Sequence, residues 1–195
     1  RGAFTLAHIN NTDKVIAVEA NPKLYKQGIA QFYGDDRVTL LNYAAYSEIT
    51  TIPFYVSNAD TISTISKDWI EDSRFSKDYV WFDPIELPTI TLDELIKQYG
   101  LPELIKIDVE GAELDVVKGL TQKVNELCFE WAEESLDKIN LTIEHLQNIG
   151  FTEFGYINFD NPLERPTNWS SWDKLDFNSK ADPNRKETWG MIFAR

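Results

Sequence analysis

Short apolar runs along the chain alternate with stretches whose apolar residues recur every three or four positions. This switching between strand and helix periods predicts an α/β protein built on a mostly parallel sheet with helices on both faces. Val15-Ile16-Ala17-Val18 reads as a buried strand. Asn21-Pro22 follows as helix N-cap and first helical residue, and that helix should run to about Gly34. Val38 to Tyr43 reads as the next strand. Residues 46–66 break the pattern: Ile52-Pro53-Phe54-Tyr55-Val56 suggests an edge strand, and Thr61 to Ser66 a polar loop. The stretch from about 46 to 90 is taken as an insertion rather than a separate domain.

Thr91-Leu92-Asp93-Glu94 has the capping-box pattern, with Thr91 meeting an orphan N–H and Glu94 reaching back, and its helix should end at Gly100. Leu104 to Val109 reads as a strand ending in acid. Ala112 to Leu120 then carries Leu114, Val117 and Leu120 on one helical face. Asn125 to Trp131 is another strand. Leu136, Ile139, Ile143, Leu146 and Ile149 form the stripe of a helix closed by Gly150. Phe151 to Asn158 and Thr188 to Ala194 read as the last two strands, joined by a polar, Trp-containing loop at about 160–186. A connection that long is usually functional or disordered.

Composition narrows the classes. A chain of 195 residues fits one domain with a substantial core. A net charge of -13 argues against a nucleic-acid partner, because binding phosphates rests on Lys and Arg. No apolar run approaches the roughly 18 residues of a membrane span, and the opening residues lack the long apolar run of a secretory signal. The single cysteine, Cys128, lies in an apolar run and reads as a core residue. His8 and His145 are too few for a His-rich metal site, so no metal is assigned. A cytoplasmic setting fits these features, and oligomeric state is left open.

Three features fall where an open α/β sheet places its ligand, at the carboxyl ends of strands. Glu19 ends the first strand, about the spacing after Gly2 that a nucleotide-binding pattern expects, and a carboxylate there can accept bonds from ribose hydroxyls. Asp108-Val109-Glu110-Gly111 puts two carboxylates on a strand end, with a glycine permitting a tight turn into a helix. Such acids can orient or deprotonate a hydroxyl, or can simply favour a helix N-terminus. Glu130, beside Trp131, ends the following strand. Asn42-Tyr43-Ala44-Ala45 leaves room for a flat ring beside the first site. In the long loop, Trp169 and Trp172 offer faces for a polyhydroxylated acceptor, or pack back onto the sheet.

The run from Leu104 to Gly119, with Asp108-Val109-Glu110-Gly111-Ala112-Glu113 at its centre, resembles the hallmark segment of FkbM-family methyltransferases. Val18 to Pro22, Asn42 to Glu48, Thr91 to Leu95 and Glu130 resemble further pieces of that family in its order. The resemblance implies a class I methyltransferase Rossmann-like fold, its seventh strand antiparallel between the fifth and sixth. It implies S-adenosyl-L-methionine as donor, held by Gly2, Glu19, Ala20, Asn21, Asn42, Ala44, Ala45 and Asp108. It also implies a hydroxyl acceptor on a sugar, glycan or secondary metabolite, served by Asp108, Glu110 and Glu130. The family's Asp-x-Gly-Ala-x-x-Gly loop would end at Gly2, so the 195 residues read as one N-terminally truncated methyltransferase domain, its first strand lying upstream. A nicotinamide-dependent oxidoreductase and a non-catalytic carbohydrate-binding module are the alternatives.

Overall fold

The computed structural model describes residues 12–159, 161, 163–177 and 189–195. Gly2 and His8 lie outside them. β1 (Val15–Val18) is followed by helix α1 (Pro22–Gln31) and by β2 (Val38–Leu41), which pairs parallel to β1 from Val15↔Val38 to Val18↔Leu41. Asn21 caps α1 as its sequence requires, Oδ1 accepting from the Lys23 N–H at 3.0 Å. The residues of β1 are half-buried, not buried, since among the described residues β1 pairs with β2 alone.

The region around 46–90 builds its own sheet. β3 (Ala44–Ala45) runs parallel to β5 (Ile85–Ile90), and β4 (Thr51–Phe54) lies antiparallel on the far side of β5 as an edge strand. Residues 61–66, expected as a polar loop, are packed instead. Asp60–Ile62 form a 3-10 turn, Tyr55 and Thr64 bridge, and Ile62 and Thr64 are buried. Helix α2 (Lys67–Asp72) follows, capped by Ser66 and burying Trp69.

Helix α3 (Leu92–Tyr99) has half of its expected box: Thr91 Oγ1 accepts from the Glu94 N–H, but the Glu94 carboxylate takes Lys97 and Gln98. β6 (Leu104–Ile107) then leads through a tight turn to the short helix α4 (Glu113–Val117). β7 (Glu126–Ala132), α5 (Leu136–Asn148), β8 (Phe154–Asn158) and β9 (Trp189–Ala194) complete the chain. Their sheet has the order β6-β7-β9-β8, β6 parallel to β7 and β9 antiparallel to both neighbours.

The sheets are therefore mixed, not mostly parallel. Parallel pairs arise where a helix or long crossover intervenes, as between β1 and β2, while β4 and β9 return against their neighbours. One face of the four-stranded sheet carries the main core: Leu127, Phe129 and Trp131 from β7 against Val116, Val117, Ile139, Ile143 and Leu146. Each large apolar side chain buried there contributes about 1.5–3 kcal/mol, which fixes the strand ends that carry the acids. Cys128, Met191, Phe193 and Ile157 line the opposite face. Among the described residues no helix is long and apolar enough to cross a membrane.

Candidate active site

β6 stops at Ile107, so Asp108 and Glu110 are turn residues, not strand residues. Glu110 has φ +56° and Gly111 φ +87°, two successive left-handed conformations that reverse the chain into α4. The turn, rather than a continued strand, therefore sets where the two carboxylates point. Carboxylate oxygens of Asp108, Glu110 and Glu130 lie within 4.8 Å of one another. Glu130 arrives from the adjacent end of β7, on the Cys128 face of that strand.

Burial grades the three. The Asp108 side chain is 40% exposed and takes Lys106 Nζ at 2.9 Å. Glu110 lies deeper, and its Oε2 is buried without a hydrogen bond. Burial, reinforced by the negative charge of Asp108, pushes the Glu110 carboxyl up to about 8. The same two causes hold Glu130 well above the usual carboxylate range. Glu110 and Glu130 are thus held toward their protonated forms at neutral pH. The three oxygens are close enough to meet on one cation, but such acidic groups are common without one, and no metal is assigned.

Several residues outside the sequence-derived set shape this corner. Arg74, just beyond α2, puts Nη1 3.2 Å from Glu134 and Nη2 3.9 Å from Glu130. Its guanidinium also lies over the rings of Phe75, Trp69 and Trp189. Thr64 Oγ1 donates to the Glu110 carbonyl at 2.8 Å, and Lys138 Nζ donates to the Gly111 carbonyl at 3.3 Å. Glu113 is 8% exposed, and burial lifts its carboxyl to about 7. Sequence spacing gave a hint of Glu113, which sits in the acidic segment three residues after Glu110. Nothing local marks Arg74, since its contacts with Glu130 and Glu134 depend on where the 46–90 stretch packs.

Gly111 has two constraints at once. A Cβ there would stand 2.8 Å from Cε3 of the buried Trp69, and φ is left-handed. Gly111→Ala is expected to cost about 2–4 kcal/mol by urea denaturation. Gly34→Ala, at φ +80° with open space around it, should lose only the backbone share, about 1 kcal/mol. Equal losses would show that Trp69 yields freely.

The first expected site sits at the end of β1. The Glu19 carboxyl is half-buried, its Oε1 accepts from the Asn21 N–H at 2.7 Å, and burial raises it. Asn42 Nδ2 donates to the carbonyls of Glu19 and Ala20, tying the ends of β1 and β2 together. Asn21 is buried as a cap, Ala44 is buried and Ala45 half-buried in β3. Gly2 falls outside the described residues.

The two tryptophans do not form one acceptor surface. Trp169 packs beside Phe193, with Arg195 over its ring at 4.0 Å and Nε1 bonded to the Pro166 carbonyl. Trp172 packs against Phe154 and Phe177. These contacts belong to opposite faces of the four-stranded sheet. Each half-buried indole rests against aromatic neighbours on its own side of the sheet.

A carboxylate at the end of β1 and an acid cluster just past β6 and near the end of β7 lie where open α/β sheets place their ligands. Residues 2–160 match the methyltransferase FkbM domain, and the chain belongs to the FkbM methyltransferase family. The fold is similar to the crystal structure of methyltransferase FkbM from Methylobacillus flagellatus KT, with a TM-score of 0.54 at 13% identity. That likeness covers 99% of this chain and 40% of the other, so this chain spans about two fifths of that protein's length. No match is found among curated proteins.

Proposed function

We propose that this chain carries a site for S-adenosyl-L-methionine-dependent methyl transfer to a hydroxyl oxygen, on a sugar, glycan or other hydroxylated small molecule. The observation that supports it is the meeting of Asp108, Glu110 and Glu130 at the carboxyl ends of parallel strands, in a chain of this family. Family membership favours methyl transfer over the nicotinamide-dependent alternative. The proposed architecture is one class I domain, with β1–β2 and β6-β7-β9-β8 as two flanks of a single sheet and residues 46–90 inserted.

The donor, when bound, supplies an electrophilic methyl group on a sulfonium. The residues at the end of β1 fit its nucleoside end: Glu19 Oε1 takes a backbone N–H, and no hydrogen bond to Oε2 is formed among the described residues. That oxygen would accept a ribose hydroxyl, with Ala20, Asn21, Asn42, Ala44 and Ala45 shaping the surrounding wall. Asp108 is the most open of the three acids and would receive the proton as the acceptor oxygen forms its bond to carbon. Glu110 and Glu130 stand behind it and set its electrostatic surroundings. Much of the acceleration in such a transfer comes from alignment of the two reactants.

Glu19→Ala is expected to weaken S-adenosylmethionine binding by one to two decades, the loss of about 1.5–3 kcal/mol from a charge-assisted hydrogen bond. Calorimetry decides this. Unchanged affinity in the variant would remove Glu19 from the donor site.

A further inference from the structure

Glu110 occupies a backbone conformation that glutamate disfavours. Its φ of +56° lies in the left-handed region, which costs a non-glycine residue about 1–2 kcal/mol. Such residues persist only where their surroundings over-determine them. Here the surroundings are specific. Glu113 Oε1 accepts from the Val109 N–H at 3.1 Å and the Gly111 N–H at 3.3 Å, the amides on either side of Glu110. Thr64 takes the carbonyl between them. An acid that merely favoured a helix N-terminus would sit in solvent beside the first turn. Glu113 instead folds back beneath the turn, 8% exposed, with both amides on a single oxygen.

We infer that Glu113 is the positioning residue of this site: its carboxyl holds the two amides flanking Glu110 and so keeps the Glu110 carboxyl among Asp108 and Glu130. Its importance for catalysis rests on the proposed function, but the clamp itself can be tested without donor or acceptor. The groups that face Glu110 electrostatically are Asp108, Glu113 and Glu134 on the negative side and Arg74 on the positive. A Glu110 carboxyl released from the cluster moves into water and regains an ordinary affinity for protons.

The experiment is a carbon-13 NMR titration of glutamate-labelled protein, the Glu110 signal being assigned by its loss in Glu110→Gln. In the unaltered chain the midpoint should lie near 8. Glu113→Leu should bring it down by about two units, toward the usual carboxylate range. Glu113→Gln removes the same charge but keeps an acceptor oxygen, so it should stay within about one unit of the unaltered chain. The difference between Leu and Gln isolates the clamp from the lost charge. Glu113→Asp keeps the charge on a side chain one methylene short and should behave like Leu, which serves if the Leu variant does not fold. An unmoved Glu110 midpoint in Leu or Asp overturns the inference, as does Gln falling to the Leu value. Calorimetry with S-adenosylmethionine on the same unaltered sample stands apart: absence of donor binding counts against the proposed function and leaves the titration result intact.

Discussion

Replacing Arg74 by methionine is expected to lower the free energy of unfolding by about 1.5–3 kcal/mol, the usual worth of a hydrogen bond to a charged group, here Glu134 at 3.2 Å with Glu130 3.9 Å away. The Arg74 side chain is 12% exposed, and that of Glu130 10%. Methionine keeps much of the volume and the contact with Phe75, Trp69 and Trp189, so the loss reports charge and hydrogen bonding rather than a cavity. Glu130 would then face Asp108 and Glu110 with no guanidinium beside it, and its carboxyl would rise further. Lysine should recover only part of the loss, since an ammonium can neither fork between two carboxylates nor lie flat on rings. Urea denaturation at pH 7 and pH 5 measures this, and the loss should shrink at pH 5 as the neighbouring carboxyls neutralise. Adding Glu130→Gln should restore much of it at pH 7. A loss below about 1 kcal/mol would mark the pair as one of the surface kind.

The second large effect concerns pH. Glu110 at about 8, Glu113 at about 7, and Glu130 are all raised above their unfolded values. The folded chain therefore holds protons that the unfolded chain releases above the ordinary glutamate range. Where the folded state binds more protons, stability falls as pH rises. The contribution of these groups is fully present below about pH 4.5 and is lost as pH climbs through 7 and 8. One pKa unit is worth about 1.4 kcal/mol, so the loss from pH 5 to pH 8 is on the order of a few kcal/mol. Glu110→Gln should flatten that slope, gaining about 1–3 kcal/mol at pH 8 and nothing at pH 5. Urea midpoints of both proteins at pH 5, 6.5 and 8 give the comparison. An unchanged slope in the variant would mean that Glu110 is ionised in the fold at neutral pH.

Elements whose cause is local could be read from the residues alone. Asn21-Pro22 and Thr91 announce helix starts through capping chemistry, and the apolar runs at 15–18, 104–107 and 126–132 mark strands needing no distant information. β5 escaped because Pro88 sits within it, and a proline argues against a middle strand. The hairpin-like pairing of β4 to β5 across some thirty residues offered no turn signal to compensate. The acid cluster was foreseen in membership but not in geometry. A strand running on to Val109 was expected, and the chain instead leaves the strand at Ile107 and reaches the cluster through a left-handed turn. That turn is set by Glu113, Thr64 and Trp69, the last two from the 46–90 stretch, so no window around Asp108 contains all of its causes. The tryptophans were visible as large aromatics, and only the placement of Phe154, Phe177 and Phe193 shows what they rest against.

The place of β9 governs the order in which this molecule can assemble. β7 and β8 are close in sequence but never touch as a ladder; each pairs with β9, which follows β8 by thirty residues. Until Trp189 to Ala194 have been synthesised and have closed the gap, both strands present an open edge to their surroundings. Open edges invite foreign strands, and long-range pairings form slowly. A nascent chain on the ribosome thus passes through a stage with its helices α4 and α5 in place and a slot in its sheet. β9 is the strand that seals it, and the interval before that closure is when chaperones would have most to shield.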